Sequence, residues 1–209
     1  MPAATAVETY SGRFVDVLEP DPATITLEDI AHALANTCRF GGHAGEFYSV
    51  AEHALRVSTK VTVAGGGPLA LVALHHDDAE FVLTDVPAPI KPLFQPVYDE
   101  LAGRIDEAVA AAFGGLWARE HLEAPMIKQA DVWALRAEAR GLMRSRGEGW
   151  SWPDDVPAPL PLGGVMTPEE AKAEFIRRHN VLVDGWFSDR ATARRSRKQL
   201  DERVRWVVA

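Results

Sequence analysis

The residues best suited to chemistry stand together at positions 75–80, whose sequence is HHDDAE. An apolar run precedes them, and we predict that one helix continues through the whole stretch. On a helix, neighbouring side chains point about 100° apart, so His76 and Asp77 could both reach one divalent cation. Glu80 follows His76 by four residues and projects to the same side, where its carboxylate could exchange protons with a bound water. Taken alone, a His-Asp pair at a helix end is more typical of a solvated terminus.

Two other predicted helices present ligand-type residues on their inward faces. The capping box at positions 49–52, SVAE, starts one helix and puts His53 near its first turn. Asp131 interrupts the apolar stripe of a later helix and needs a partner, because an unpaired buried carboxylate is costly. With His76 and Asp77 these residues supply two imidazoles and two carboxylates, a set suited to one divalent cation with room for water. The set does not distinguish Mn, Co, Fe, Zn or Mg.

Helical periodicity dominates the rest of the chain and predicts an all-α fold. Residues 1–25 are predicted to be extended with a short hairpin, and residues 26–188 to form one helical domain. The predicted helices begin near residues 26, 49, 68, 96, 125 and 167; the third continues to residue 85 and the last to about residue 178. Residues 145–166 are rich in Pro, Gly and Trp and predict a long ordered loop, a kind of segment that often binds ligands. Residues 189–209 are basic and then apolar, which fits either a helix docked on a partner subunit or a loose tail.

The composition limits the classes of function. The 209 residues carry a formal net charge of -8, which argues against binding duplex nucleic acid but not against a nucleotide in a local basic pocket. Cys38 is the only cysteine, so an internal disulfide and a Cys-rich zinc site are excluded. We find no membrane span and no signal peptide, and we therefore expect a cytoplasmic protein with no membrane partner. A homodimer or higher homo-oligomer is the base-rate expectation.

The order of these motifs resembles the HD superfamily of metal-dependent phosphohydrolases, whose pattern is H…HD…D. Further blocks resemble its bacterial 5'-deoxynucleotidase branch, and together they cover about residues 25 to 145. The blocks are RF at 39–40, YSVAEH at 48–53, HDDAE at 76–80, TDVPAPIK at 84–91 and KQAD at 128–131. The resemblance implies an all-α HD-domain bundle with the metal at its centre, held by His53, His76, Asp77 and Asp131.

The resemblance also implies roles at the substrate. Glu80 would orient or deprotonate the attacking water, with Asp85 close by, although Asp85 could instead cap the turn before the prolines. Arg39 would contact the phosphate, since a guanidinium matches phosphate geometry bidentately. Lys91 is a second candidate for the phosphate. Surface positions remain the alternative for both cations.

Five further residues lie in or near the motifs or carry an ionisable side chain. Phe40 takes the place of a tryptophan in the branch, and it could stack on a base or belong to the core, so base preference stays open. His43 could reach the phosphates or be a solvated loop residue. His75 is expected to be structural and Asp78 to face solvent or support a ligand. His179 has no evident partner in the sequence.

Three functions are compatible with this pattern. The leading one is hydrolysis of deoxyribonucleoside 5'-monophosphates to deoxynucleoside and phosphate. The second is a dATP-type triphosphohydrolase, because related phage enzymes of the superfamily release triphosphate; an alarmone hydrolase also stays open. The third is a nucleotide-binding sensor without turnover, which loss of a ligand or of Glu80 would favour. A Gly-Tyr-Pro motif, usual in cyclic-dinucleotide phosphodiesterases of the superfamily, is absent from the sequence.

Overall fold

The structure is a computed structural model that describes residues 2–153 and 162–186. It is mostly helical, with a single two-stranded antiparallel sheet among the described residues, so the predicted all-α class is confirmed. The strands are β1 (Ala6–Glu8) and β2 (Phe14–Asp16). The helices are α1 (Leu27–Asn36), α2 (Val50–Val63), α3 (Leu69–Leu74), α4 (Glu80–Leu83), α5 (Val97–Ala112), α6 (Pro125–Leu142) and α7 (168–186). Within the described ranges, none of these helices combines the length and apolar character that crossing a bilayer requires.

The N-terminal hairpin is present as predicted and is attached to α1. Val7 pairs with Val15 in the antiparallel register, and the buried Val15 side chain joins the core. The carboxylate of Asp29, in the first turn of α1, accepts hydrogen bonds from the backbone N–H and the hydroxyl of Ser11 at 2.7 and 2.8 Å. These bonds fix the loop of the hairpin against the start of the helical domain.

Helix α2 lies at the centre of the fold and packs against both α3 and α6. Its start follows from the sequence, because the Ser49 hydroxyl accepts a hydrogen bond from the Glu52 backbone N–H at 3.1 Å. Val50, Val57 and Val61 are fully buried along its inner side. The apolar stripe therefore holds α2 in place and turns His53, which lies between these valines in sequence, into the interior.

The third predicted helix differs from the structure. It was expected to run from residue 68 to 85, but α3 ends at Leu74, residues 75–79 form a tight turn, and α4 begins at Glu80. The turn is closed by bonds between residues three apart, from the Asp78 N–H to the His75 carbonyl and from the Glu80 N–H to the Asp77 carbonyl. Such bonds wind the backbone more tightly than an α-helix. The expectation that His76 and Asp77 share one regular helix was wrong.

Helix α7 begins with the predicted capping box and extends beyond its predicted end. The Thr167 N–H donates to the Glu170 carboxylate at 2.9 Å, and the Glu170 N–H donates to the Thr167 hydroxyl at 3.2 Å. The helix continues to residue 186, past the predicted end near residue 178. The proposed C-terminal segment, 189–209, and part of the predicted loop, 154–161, lie outside the described residues.

Candidate metal centre

Four predicted ligands converge from three parts of the fold. His53 comes from α2, His76 and Asp77 from the turn after α3, and Asp131 from α6. The Nε2 atom of His53 lies 3.1 Å from Asp131 Oδ1, 3.3 Å from His76 Nε2 and 3.6 Å from Asp77 Oδ2. His76 Nε2 lies 3.3 Å from Asp77 Oδ2 and 4.0 Å from Asp131 Oδ1. His53, His76 and Asp131 together form a cluster that could hold a metal ion.

The two imidazoles are oriented as metal ligands are. His53 Nδ1 faces Glu138 Oε1 at 2.7 Å, and His76 Nδ1 faces the Ala73 carbonyl at 2.8 Å, so both Nδ1 atoms can only donate. In a neutral imidazole the other nitrogen is then an acceptor. The two Nε2 acceptors face each other and two carboxylates, an arrangement that repels unless positive charge lies among them. Metal-ligating histidines show this pattern of an Nδ1–H bond to a carboxylate or carbonyl.

The distances also fit a bound cation. Zinc and similar ions lie about 2.0–2.2 Å from nitrogen and oxygen donors, which places neighbouring donors roughly 3.0–3.5 Å apart. Three of the distances given above fall in this range, at 3.1, 3.3 and 3.3 Å, while His53 to Asp77 is 3.6 Å and His76 to Asp131 is 4.0 Å. His53, His76 and Asp131 form the compact part of the set, and Asp77 lies beside the two imidazoles. The donor set therefore fits a divalent cation in both chemistry and size.

The charged groups around His53 also favour a positive charge at this site. Burial and the nearby Arg39 disfavour a charged imidazole, but Glu138 and Asp131 outweigh them and raise the pKa of His53 to about 10. Burial would raise the pKa of Asp131, yet its contact with His53 holds that pKa well below its usual range. In the absence of a cation, a proton on His53 is what balances these carboxylates.

Glu138 supports the centre and was not assigned a role from the sequence. Its carboxylate is fully buried and accepts hydrogen bonds from His53 and, at 3.0 Å, from the Tyr48 hydroxyl. Its second oxygen lies 3.2 Å from Arg39 Nε. Although burial opposes ionisation, His53 and Arg39 keep the pKa of Glu138 well below its usual range. The sequence did contain an indication of this role, because Glu138 lies on the inward stripe of α6, two helical turns after Asp131.

A cavity of about 670 Å³ opens beside the ligands. Its lining includes Asp77 and Asp131 together with all six residues that the resemblance assigned to catalysis or substrate binding. These six are Arg39, Phe40, His43, Glu80, Asp85 and Lys91. Residues that stand far apart in the sequence, from position 39 to position 131, therefore share one space. The structure brings the candidate set together, while the role of each member stays a prediction.

Glu80 and Asp85 place two more carboxyl groups in this cavity. Glu80 is buried, and its Oε2 atom has no hydrogen-bond partner among the described residues. Burial, with the negative charges of Asp77 and Asp85, raises the pKa of Glu80 well above its usual range. Burial likewise raises the pKa of Asp85, although Arg39 opposes the shift. Glu80 thus places a buried carboxyl group in the cavity, with one oxygen that has no partner among the described residues.

The basic residues occupy different depths of the cavity. Arg39 is 9% exposed, and its guanidinium approaches Glu138 at 3.2 Å and Asp77 at 3.7 Å. Part of its charge is therefore already engaged by protein carboxylates. Lys91 is half-buried with its Nζ atom 4.7 Å from the centre of the Tyr98 ring, and His43 is exposed. Lys91 and His43 remain open towards a ligand entering the cavity.

An aromatic wall lines another side of the cavity. It consists of Phe40, Trp150 and Trp152. The rings of Phe40 and Trp150 are 6.2 Å apart, and those of Trp150 and Trp152 are stacked at 5.7 Å. Phe40 is half-buried and has a φ of +58°, a left-handed conformation that is uncommon for a bulky residue and is found mainly where the surroundings enforce it. The two tryptophans belong to the predicted 145–166 loop, so its described part contributes to the cavity.

Comparisons with known proteins identify close relatives. The chain is 33% identical over 181 residues to the uncharacterized protein YfdR of Escherichia coli (strain K12), an alignment covering 85% of this chain and 96% of the relative. It is 37% identical over 188 residues to the uncharacterized protein RCAP_rcc00048 of Rhodobacter capsulatus, covering 83% of this chain and 93% of the relative. No family model matches the chain.

Proposed function

The chain belongs to the same family as YfdR of Escherichia coli, and starting from that membership and the metal centre we propose that it is a metal-dependent phosphohydrolase of the HD type. The proposed substrates are deoxyribonucleotides, and the proposed reaction converts a deoxynucleoside 5'-monophosphate to deoxynucleoside and phosphate. One observation carries the proposal. The ligand atoms of His53, His76 and Asp131 converge within 4.8 Å of one another, with Asp77 3.3 Å from His76, at a cavity that also contains Glu80, whose buried Oε2 has no partner among the described residues.

This set of groups suits phosphate-ester hydrolysis. The uncatalysed reaction is among the slowest in biology, so it requires both an activated nucleophile and neutralisation of charge. A divalent cation bound by the four ligands would supply Lewis acidity towards a phosphoryl oxygen and lower the pKa of a bound water. Glu80 Oε2 would accept the proton of the attacking water. Asp85, in the same cavity, would help to orient that water.

The cations and aromatic residues would bind the two ends of a nucleotide. Lys91 would contact the phosphate, while Arg39 would contribute mainly positive potential because its guanidinium also contacts Asp77 and Glu138. Phe40 and Trp150 would offer ring faces to a base, an interaction that tolerates every base because each has a π face. A ligand with an anionic end and a planar apolar end matches this division of the cavity.

A dNTP triphosphohydrolase is the second candidate. It is supported by the position of His43, which lines the cavity while being exposed, and which could contact phosphates beyond the first. Longer phosphate chains require more positive groups along the cavity. In this version the deoxynucleoside leaves and triphosphate is released. A sensor that binds a nucleotide without turnover would use the same cavity.

Product analysis tests these candidates directly. The protein is loaded with Mn²⁺, Co²⁺ or Mg²⁺, incubated with each deoxynucleoside mono- and triphosphate and the matching ribonucleotides, and the products are separated. We expect phosphate and deoxynucleoside from monophosphates, and no product after chelation. Triphosphate as product would instead establish the second candidate. Tight binding of a nucleotide without any product would replace both by the sensor.

Two variants assign the activity to the cavity. Asp77→Ala should lose metal and turnover together, because it removes a ligand oxygen from the centre. Glu52→Gln is the matched control, since Glu52 precedes the ligand His53 and is also a buried carboxylate, but it bonds to Arg56 and the Met166 N–H and to none of the ligand side chains. Activity that survives Asp77→Ala would have to come from another site or a contaminant.

A further inference from the structure

A second polar cluster lies in the core, directly behind the metal-binding turn. We call it the inner triad; it consists of His75, Asp78 and His179. His75 Nδ1 lies 2.5 Å from Asp78 Oδ2, and His75 Nε2 lies 2.8 Å from His179 Nδ1. The three residues are 1%, 1% and 7% exposed. His179 therefore has a partner that the sequence did not indicate, and of the two alternatives predicted for Asp78 the solvent-facing one is wrong.

The surroundings of the inner triad are aromatic. The His75 ring stacks on Trp117 at 4.8 Å and meets the edge of Phe175 at 5.4 Å, and the His179 ring lies 5.0 Å from Phe113. Polar groups buried in such a setting lose their hydration and are often replaceable by apolar side chains without loss of stability. What a buried hydrogen-bonded network supplies instead is one defined geometry, and here the two bonds of His75 supply it although Asp78 Oδ1 has no partner among the described residues. The question is which part of the molecule needs that geometry.

The metal-binding turn is that part. Its backbone has left the α-helix, so regular helical hydrogen bonds no longer fix its shape. His76 and Asp77 point to the metal centre, while the residues on either side of them, His75 and Asp78, point into the core and bond each other. His179 joins this bond from α7, 104 positions further along the chain. The turn is thus held on its core side at the two residues that flank His76 and Asp77.

We propose that the inner triad positions the metal ligands, and that α7 acts on metal affinity through His179. This inference rests on the metal centre of the proposed function, but it does not depend on which substrate is hydrolysed. His179 is a positioning residue in this account. It lies on a different helix from all four ligands and its effect on the metal passes through His75.

The test compares His179→Leu with two matched variants in the full chain. His179→Leu removes the hydrogen bond to His75, whereas His179→Asn keeps an amide near the position of Nδ1. Arg178→Leu is the control, because Arg178 also attaches α7 to the core, through Ser58 and Thr62 on α2, but does not contact the triad. Co²⁺ alone is the probe, with its dissociation constant and visible absorption spectrum measured alongside the thermal stability of the metal-free protein.

We expect His179→Leu to weaken Co²⁺ binding by about tenfold, the lower end of the range for groups that support metal ligands, and to change the Co²⁺ spectrum. His179→Asn should restore most of the affinity, and Arg178→Leu should lower stability while leaving affinity and spectrum unchanged. If His179→Leu and Arg178→Leu both lose stability and neither alters Co²⁺ binding, the triad is merely structural. If the wild-type protein does not bind Co²⁺, the metal centre of the proposed function is wrong. This outcome differs from one in which the metal binds and only the role of the inner triad is wrong.

A measurement on the wild-type protein covers the case in which His179→Leu does not fold. The imidazole nitrogen resonances of His75 and His179 are followed by NMR during titration with Zn²⁺. Both should shift as the centre fills, while His121, which accepts a bond from the Ala118 N–H in another part of the fold, should not. Resonances of His75 and His179 that stay unchanged at full Zn²⁺ occupancy would overturn the inference.

Discussion

Replacing Glu138 is the sharpest perturbation of the metal centre that leaves all four ligands in place. Its carboxylate makes contacts with three groups: His53 Nδ1 at 2.7 Å, the Tyr48 hydroxyl at 3.0 Å and Arg39 Nε at 3.2 Å. Glu138→Gln keeps an acceptor oxygen and the volume but removes the charge. Glu138→Ala removes the charge and every contact. Comparing the two separates the electrostatic effect from the loss of hydrogen bonds.

The magnitudes follow from these contacts. Glu138→Ala leaves the buried Arg39 with Asp77, at 3.7 Å, as its remaining ion-pair partner among the described residues, and breaking a buried ion pair from one side costs about 3–5 kcal/mol. Hydrogen bonds to a charged group exceed neutral ones by roughly 1 kcal/mol each, so Glu138→Gln should lose about 2–3 kcal/mol over the contacts it weakens. Both variants should bind metal about 10–100-fold more weakly. The negative charge of Glu138 also favours a competing proton on His53, but a divalent cation gains more from it because it carries twice the charge.

The assay is urea unfolding of the metal-free protein together with Co²⁺ titration at constant pH. Glu52→Gln is the control, because it changes a buried carboxylate on α2 that is paired with Arg56 at 3.1 Å and does not contact a ligand. It should lower the free energy of unfolding and leave Co²⁺ affinity nearly unchanged, because its carboxylate bonds to Arg56 and the Met166 N–H and to no ligand side chain. If Glu138→Gln binds Co²⁺ as tightly as the wild-type protein, the orientation of His53 by Glu138 does not contribute to the site.

Three other variants address catalysis, specificity and pH. Glu80→Gln should lower kcat by about 10²–10⁴-fold with Co²⁺ affinity unchanged, because the proton acceptor is lost while the ligands remain; near-normal kcat would remove Glu80 from catalysis. Trp150→Ala should raise KM for a deoxynucleotide by about 5–150-fold, the equivalent of about 1–3 kcal/mol of stacking, and leave deoxyribose 5-phosphate unaffected; equal effects on both would place the base elsewhere. Burial would raise the pKa of Asp29, but hydrogen bonds from Thr26 and Ser11 lower it below 3.8. The Asp29 carboxylate therefore stabilises the folded protein above pH 3.8, and this stabilisation is lost as the pH falls through the folded-state pKa. In urea unfolding, the stability gap between wild type and Asp29→Asn should therefore shrink below about pH 3.8, and a constant gap would contradict this account.

The sequence predicted the parts of the fold that local chemistry determines. The helix starts at Thr26, Ser49 and Thr167 were found because each cap is a bond between residues three apart in sequence. The expectation that Asp131 needs a partner was also correct, since His53 lies 3.1 Å from it. A charged residue on an apolar stripe indicates that a partner exists, but the sequence does not identify that partner.

The break after α3 could not be predicted in the same way. The apolar residues continue at helical spacing up to Leu83, so the pattern alone favours one long helix. The turn depends instead on partners remote in sequence, namely His179 for His75 and the ligands of the other helices for His76. Partners remote in sequence also explain why Glu138 was not assigned a role from the sequence. Its partners, Tyr48 and His53, lie 90 and 85 positions away.

The balance of charge around the cavity connects these observations. Four carboxyl groups, those of Asp77, Glu80, Asp85 and Asp131, line it together with the basic side chains of Arg39, His43 and Lys91. A fifth carboxylate, Glu138, lies behind the lining and contacts His53 and Arg39. Burial is the main cause that raises the pKa of Glu80 and that of Asp85, and the negative charge of Asp77 adds to both shifts, while Glu138 and Asp131 raise the pKa of His53 against the effect of burial. A divalent cation would offset the part of the rise in the pKa of Glu80 that the negative charge of Asp77 causes. Metal binding is therefore expected to lower the pKa of the residue proposed as proton acceptor and to favour its carboxylate form, so that metal binding and catalysis are coupled through the same electrostatic interactions.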